Sequence, residues 1–264
     1  CERNEDGGEY GVKVSTLNIE LESGASITSD TTSSNGGIFA ISTAGTAATA
    51  TATQQGVSGV GNGNNVEAQS LTITGPEGSA DNVSVSANAS ALAIANSINE
   101  VSGDTGVTAK AETSLTMDSL SADGTITFNL YGSNQDVREV SATVTQNNLY
   151  PLIDAINDET GTTGISARQG DTGGEIILTN NDGNDIKIEN FEHSSADTEN
   201  SQSIDVTGDA GTAVSLYDGG AHAETNQNDS TVVGGTVSFN ATGDFSVRSS
   251  IAADDGGILT GSAN

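Results

Sequence analysis

The sequence predicts an α+β chain that is mostly β. Tandem small domains are expected, the central ones β-β-α-β-β units in which one helix packs on a small sheet. Three observations lead there. Apolar and polar residues alternate in short runs along much of the chain, the period of a half-buried strand. Twice that period lengthens to the helical one. Around each lengthening, one block of residues recurs at the same spacing, the sign of a repeated supersecondary unit. Composition agrees: with 33% hydrophobic and 3% aromatic residues and no Trp, the chain can fill several thin cores of Val, Ile, Leu and Ala more readily than one thick core.

The segment Cys1–Tyr10 is polar and irregular, and Val12–Leu21 then alternates as a strand does. Ile38–Ile41 is a second candidate. Between Thr43 and Asn64 a run of Ala, Thr, Gly, Gln and Asn leaves a long loop and weak strands both open. Leu71–Thr74 is a strand closed by the turn Gly75-Pro76-Glu77-Gly78, and Val83–Val85 is its successor. In Ser90–Asn99 the residues Leu92, Ala95 and Ile98 fall at helical spacing, with Asn88 or Ser90 as N-cap and an end near Ser102-Gly103. Strands are expected at Val107–Ala111 and Ser114–Met117.

The same order then recurs. Thr125–Tyr131 and Val140–Val144 are strands. Asn147 or Asn148 is expected to cap a helix through Leu149, Leu152, Ile153 and Ile156, with Pro151 in the first turn, where its missing N–H costs least. Strands return at Gly164–Arg168 and Glu175–Thr179. Asn181-Asp182-Gly183 is a hairpin signal, followed by Ile186–Ile188. The tail offers strands at Ile204–Val206, Ala213–Tyr217, Val232-Val233, Gly235–Phe239 and Phe245–Ser249. The expected divisions are a β-rich N-terminal segment with its low-complexity loop (1–68), two repeat units (69–120 and 121–195) and a β-rich C-terminal segment (196–264).

The repeat is sharpest at the helix ends. Ile98-Asn99 is followed by Thr105-Gly106-Val107, and Ile156-Asn157 by Thr163-Gly164-Ile165, with identical spacing. Each member has a structural rationale. The Ile faces the sheet, and the Asn can bond loose backbone groups where the helix ends. The Gly takes a conformation other residues resist, and the β-branched residue opens the next strand.

This pattern resembles the flagellin hook IN motif, which occurs in tandem in the exposed, variable regions of bacterial flagellins and in some filament-cap and hook-associated proteins. One copy spans roughly 71–117 and the other 125–191, together less than half the chain. Phe245–Ser250 through Gly256–Leu259 is also similar to the run that leads back into a flagellin core. The resemblance implies an extracellular structural part of the flagellar filament. Its partners would be other flagellin subunits, and it would need no cofactor. Glycans on exposed Ser and Thr are implied by the same resemblance. The long heptad helices through which flagellins polymerise are not found here, so the resemblance extends to the outer domains only. Two alternatives stay open: the outer part of a cap or hook-associated protein, and a surface adhesin or a lipoprotein anchored through Cys1.

Charge and residue chemistry exclude other classes. A net charge of −29 opposes binding to a phosphate backbone or an anionic membrane. No apolar run approaches the roughly 20 residues that span a bilayer. His193 and His222 lie in Asp-rich surroundings without a partner at metal-ligand spacing, and are expected to be solvated loop residues. There is no G-x-S-x-G elbow and no phosphate loop. The lone Cys1 is terminal, which speaks against a Cys–His nucleophile and leaves a chain boundary, a handle or a lipid attachment point. Asn180–Asp185 resembles part of a calcium loop, but its twelfth position is Phe191, not a bidentate Glu. No catalytic, cofactor or metal site is therefore expected.

Overall fold

A computed structural model describes residues 50–53, 63–64, 66–134, 136–195, 202–209, 213–218, 228–251 and 258–259. The strands expected at Val12–Leu21 and Ile38–Ile41 lie outside these residues. The described elements run β1 (Ala50–Thr53), β2 (Gln69–Gly75), β3 (Gly78–Val85), α1 (Ala91–Glu100), α2 (Ser102–Thr105) and β4 (Val107–Asp118). They continue with β5 (Gly124–Tyr131), β6 (Arg138–Val144), α3 (Tyr150–Asp158), α4 (Thr160–Thr163), β7 (Ile165–Gln169), β8 (Ile176–Asn180) and β9 (Ile186–His193). The last are β10 (Ser203–Gly208), β11 (Val214–Tyr217), β12 (Ser230–Val233), β13 (Thr236–Ala241) and β14 (Ser246–Ser249). The fold is α+β and mostly β.

Local chemistry sets the helix ends. Ser90 caps α1, its side chain accepting from the Ala93 N–H at 3.3 Å. The second long helix departs from expectation. Leu149 stands at the cap of α3 with no side-chain cap, and Asn148 instead accepts from the Tyr150 N–H at 3.0 Å. Pro151 occupies the first turn, as its lack of an N–H favours. Beyond Ser102, where α1 was expected to stop, the chain makes one further turn, α2, before leaving through Gly106.

The sheets are less local than the sequence suggests. One has the order β1-β12-β9-β5-β6, a second β11-β10-β4-β8-β7 with β13 also on β4, and a third β14-β2-β3. Two expectations need correction. The strands expected at Val107–Ala111 and Ser114–Met117 are the single twelve-residue strand β4. Its inward residues Val107, Ala111, Thr113, Leu115 and Met117 keep one parity throughout. The turn Asn181-Asp182-Gly183 does not join a hairpin, because β8 pairs with β4 and β7 whereas β9 pairs with β5 and β12. It carries the chain from one sheet to the other. Gly183, at φ +80°, allows a close approach, since a Cβ there would lie 2.3 Å from that of Ala111. Its carbonyl accepts from the otherwise unpaired Leu92 N–H in the first turn of α1, at 2.9 Å.

Two cores result. The larger draws Ile126, Phe128, Leu130 and Val140 from one sheet, Leu115, Met117, Ile176 and Leu178 from the other, and Leu152, Ile153 and Ile156 from α3. The smaller joins Leu71, Ile73, Val83 and Val85 to Ile94, Ala95 and Ile98 of α1, with Val107, Ala111, Val237 and Val247. The cores are nested along the chain. The larger uses residues between Leu115 and Val233, and the smaller uses residues on both sides of that interval.

Thr113 stands where β4 passes from one core to the other. It is fully buried and its Oγ1 has no hydrogen-bond partner. An unsatisfied buried hydroxyl costs more than a methyl in the same place. Thr113→Val is expected to raise the unfolding free energy by about 1 kcal/mol. Urea denaturation would show it, and a loss of stability would mean that the hydroxyl has a partner in solution.

Candidate functional site

The repeated residues form two helix-to-strand locks of the same geometry. Ile98 and Ile156 are fully buried, one in each core. One turn past each helix, Thr105 and Thr163 are also fully buried. Thr105 donates from Oγ1 to the Val101 carbonyl at 3.0 Å and accepts from the Val107 N–H at 3.2 Å. Thr163 does the same with the Glu159 carbonyl at 3.0 Å and the Ile165 N–H at 3.1 Å. Gly106 (φ +72°, ψ +10°) and Gly164 (φ +68°, ψ +8°) both end the short turn in the left-handed region, where a Cβ is strained. Val107 and Ile165, both fully buried, open the next strands.

The two asparagines act at longer range than a helix cap. Asn99 donates from Nδ2 to the Ala109 carbonyl at 2.9 Å and accepts at Oδ1 from the Ala109 N–H at 2.8 Å. Asn157 holds Ala167 through the same pair of bonds, at 3.0 and 2.8 Å. A side-chain carboxamide has the donor and acceptor of a peptide group. Here it supplies to one strand residue both bonds that a neighbouring strand would make. Ala167 lies on β7, an edge strand whose other side pairs with β8. Asn157 thereby blunts a stretch of open edge and ties α3 to it, and Asn99 ties α1 to β4 in the same way. The spacing marks these residues and reaches the Ala ten positions downstream in both copies (Ala109 and Ala167), but it does not say that the Asn bonds to that Ala.

His193, expected to be a solvated loop residue, is instead a buried residue of β9, 6% exposed. His222 lies outside the described residues. Asp185, which drew no attention as a single residue, is half-buried just before β9. Asn64 Nδ2 donates to both its carboxylate oxygens, at 3.0 and 3.1 Å. Burial pushes its carboxyl up to about 6, against smaller downward pulls from Asn64 and from Lys187. Glu192, on the outward side of β9, is pushed up to about 7, first by partial desolvation, then by a hydrogen bond with Asp218 and the charges of Asp218 and Asp229.

Both shifts are upward. Their stabilising contribution is fully present below the ordinary carboxylate range and is lost as pH rises, through about 6 for Asp185 and about 7 for Glu192. These two carboxyls therefore favour a higher unfolding temperature near pH 5 than near pH 8. Asp185→Asn should raise stability at neutral pH by about 1–2 kcal/mol and flatten the part of this profile that Asp185 supplies. An unchanged profile in the variant would refute the assignment.

Among the described residues no convergent chemistry accompanies the locks. An open cleft of about 500 Å³ is lined by Asp118, Ser119, Gln146, Asn147, Thr172, Glu175 and two glycines, with no hydrophobic side chain among them. Among the described residues no three His, Cys, Asp or Glu are grouped to hold a metal ion, and no helix is long and apolar enough to cross a membrane.

The family model described as the flagellin hook IN motif matches residues 70–121, which contain the first lock. No curated protein matches. Among solved structures, the flagellar cap protein FliD from Helicobacter pylori aligns at 12% identity over 58% of this chain and 53% of its own, with a TM-score of 0.24. The FliD D2-D3 domains from Escherichia coli align at 16% identity over 73% of this chain and 93% of theirs, with a TM-score of 0.23. This chain thus spans about half the length of the first of these proteins. The family match relates residues 70–121 to flagellar structural proteins, which are not enzymes.

Proposed function

We propose that this chain is the outer, surface-exposed part of a bacterial flagellin, displayed on the filament outside the cell. The observation that carries the reading is the recurrence of the whole lock. Ile156, Asn157, Thr163, Gly164 and Ile165 reproduce, bond for bond, the arrangement of Ile98, Asn99, Thr105, Gly106 and Val107 within the matched segment. On this reading 121–195 is a second IN unit beside 69–120, and the ten residues serve to build the fold. The work of the chain is mechanical and interfacial. A surface with net charge −29 stays hydrated and repels its like. Exposed Ser and Thr offer attachment points for glycans, and the partners are neighbouring flagellin subunits.

Cryo-electron microscopy of filaments from the source cell tests this directly. The expected result is one copy of the fold per subunit along the shaft, outside the helical core. Density confined to the tip would overturn the flagellin reading in favour of a cap protein, and absence from the filament would overturn both.

A further inference from the structure

His193 sits in a slot shaped for one protonation state. The ring is buried against the start of β5, where Gly124 makes room for it, since a Cβ there would lie 2.6 Å from Cε1. Nε2 faces the Ala122 carbonyl at 3.1 Å, and Nδ1 faces the Ser195 N–H at 3.0 Å. A carbonyl only accepts and a backbone N–H only donates. Both contacts are hydrogen bonds only if Nε2 carries the proton and Nδ1 is bare. The imidazolium has N–H groups at both positions, so a second proton would point at the Ser195 N–H.

The next residue is held differently. The Ser194 N–H donates to the Thr125 carbonyl at 2.8 Å, and Ser194 Oγ accepts from the Thr125 N–H at 2.8 Å. Neither bond involves a group that titrates with histidine. The charged groups around the ring are few. Asp123 lies in the loop beside Ala122, its Oδ1 accepting from the Gln146 N–H at 2.8 Å. Glu192 adjoins on β9, on the opposite strand parity. β5 contributes no charged residue at Gly124–Ile126, which lie against the ring.

We propose that His193 is a pH-operated latch: neutral, it fastens the chain at Ser195 as it leaves β9, and protonated, it releases the chain there while Ser194 stays clamped to β5. Mild acid then frees the exit of β9 without unfolding the sheet.

The test uses the ¹⁵N-labelled full chain, following imidazole resonances and amide exchange between about pH 8 and about pH 5, the range in which histidine titrates. The His193 ring is assigned by its disappearance in His193→Asn. The expected result is a neutral Nε2–H ring at high pH. As that ring titrates, Ser195 should lose amide protection by about tenfold, after correction for intrinsic exchange, while Ser194 and Thr125 keep theirs. His193→Asn, whose Oδ1 accepts without titrating, should hold Ser195 equally at every pH. Should that variant fail to fold, His193→Phe keeps the ring and should leave Ser195 unprotected throughout. The proposal is overturned by an Nδ1–H tautomer, by Ser195 protection that survives protonation of the ring, or by simultaneous loss of protection at Ser194 and Thr125.

Discussion

Replacing Ile156 by alanine is expected to lower the unfolding free energy by about 3 kcal/mol. The side chain is fully buried in the larger core, beside Leu152 and Ile153 of the same helix face. Truncation removes three carbons from water-free packing and leaves a cavity that close-packed sheets on both sides cannot readily fill. Ile98→Ala should behave similarly in the smaller core, where Ile98 is equally buried. Urea unfolding followed by circular dichroism gives both values. A loss under about 1 kcal/mol at Ile156 would mean that the site collapses freely, and that this helix is not pinned as described.

Asn157→Ala is expected to cost about 2 kcal/mol, because it leaves both backbone groups of Ala167 without their partners. Ala167 is itself buried, 8% exposed, so water replaces the carboxamide poorly. Asn157→Asp sharpens the test. A carboxylate can still accept from the Ala167 N–H, but its other oxygen then faces the Ala167 carbonyl, so the aspartate should also destabilise, and less so once protonated in acid. Asn99→Ala removes the same two bonds at a more exposed place and should cost less. Equal stability of Asn157→Ala and the parent chain would reject the strand-mimic role of the side chain.

Local patterns in the sequence were enough to find most of the described elements. The change of period over Ser90–Asn99 marks α1, although the face it buries is Ala91, Ile94, Ala95 and Ile98 and not Leu92, and the alternation from Thr125 to Tyr131 marks β5, because burial on one face writes itself into nearby residues. The spacing of Ile, Asn, Thr, Gly and a β-branched residue located both locks. Pairing between distant strands was not legible. β4 takes β13 as neighbour across more than a hundred residues, and nothing local in either strand names the other. Asn181-Asp182-Gly183 suits a hairpin and a crossing between sheets equally well, since both need a left-handed residue. His193 was obscured by its polar neighbours. The signal that could have found it is parity with Phe191, two residues earlier and also fully inward, which becomes visible only once the irregularity at Asn190 (φ +54°) resets the alternation.

The nesting of the two cores bears on how such a chain could change length between lineages. Glu112 and Thr236 are directly paired across β4 and β13, so the ends of the inserted interval lie side by side. A short type I′ turn joining them would close the two strands as an ordinary hairpin. The smaller core would keep its own helix and strands. A deletion or an acquisition of the whole larger core is therefore a single event at one joint for the smaller core, while β1, whose neighbour β12 belongs to the interval, would lose its strand partner with it.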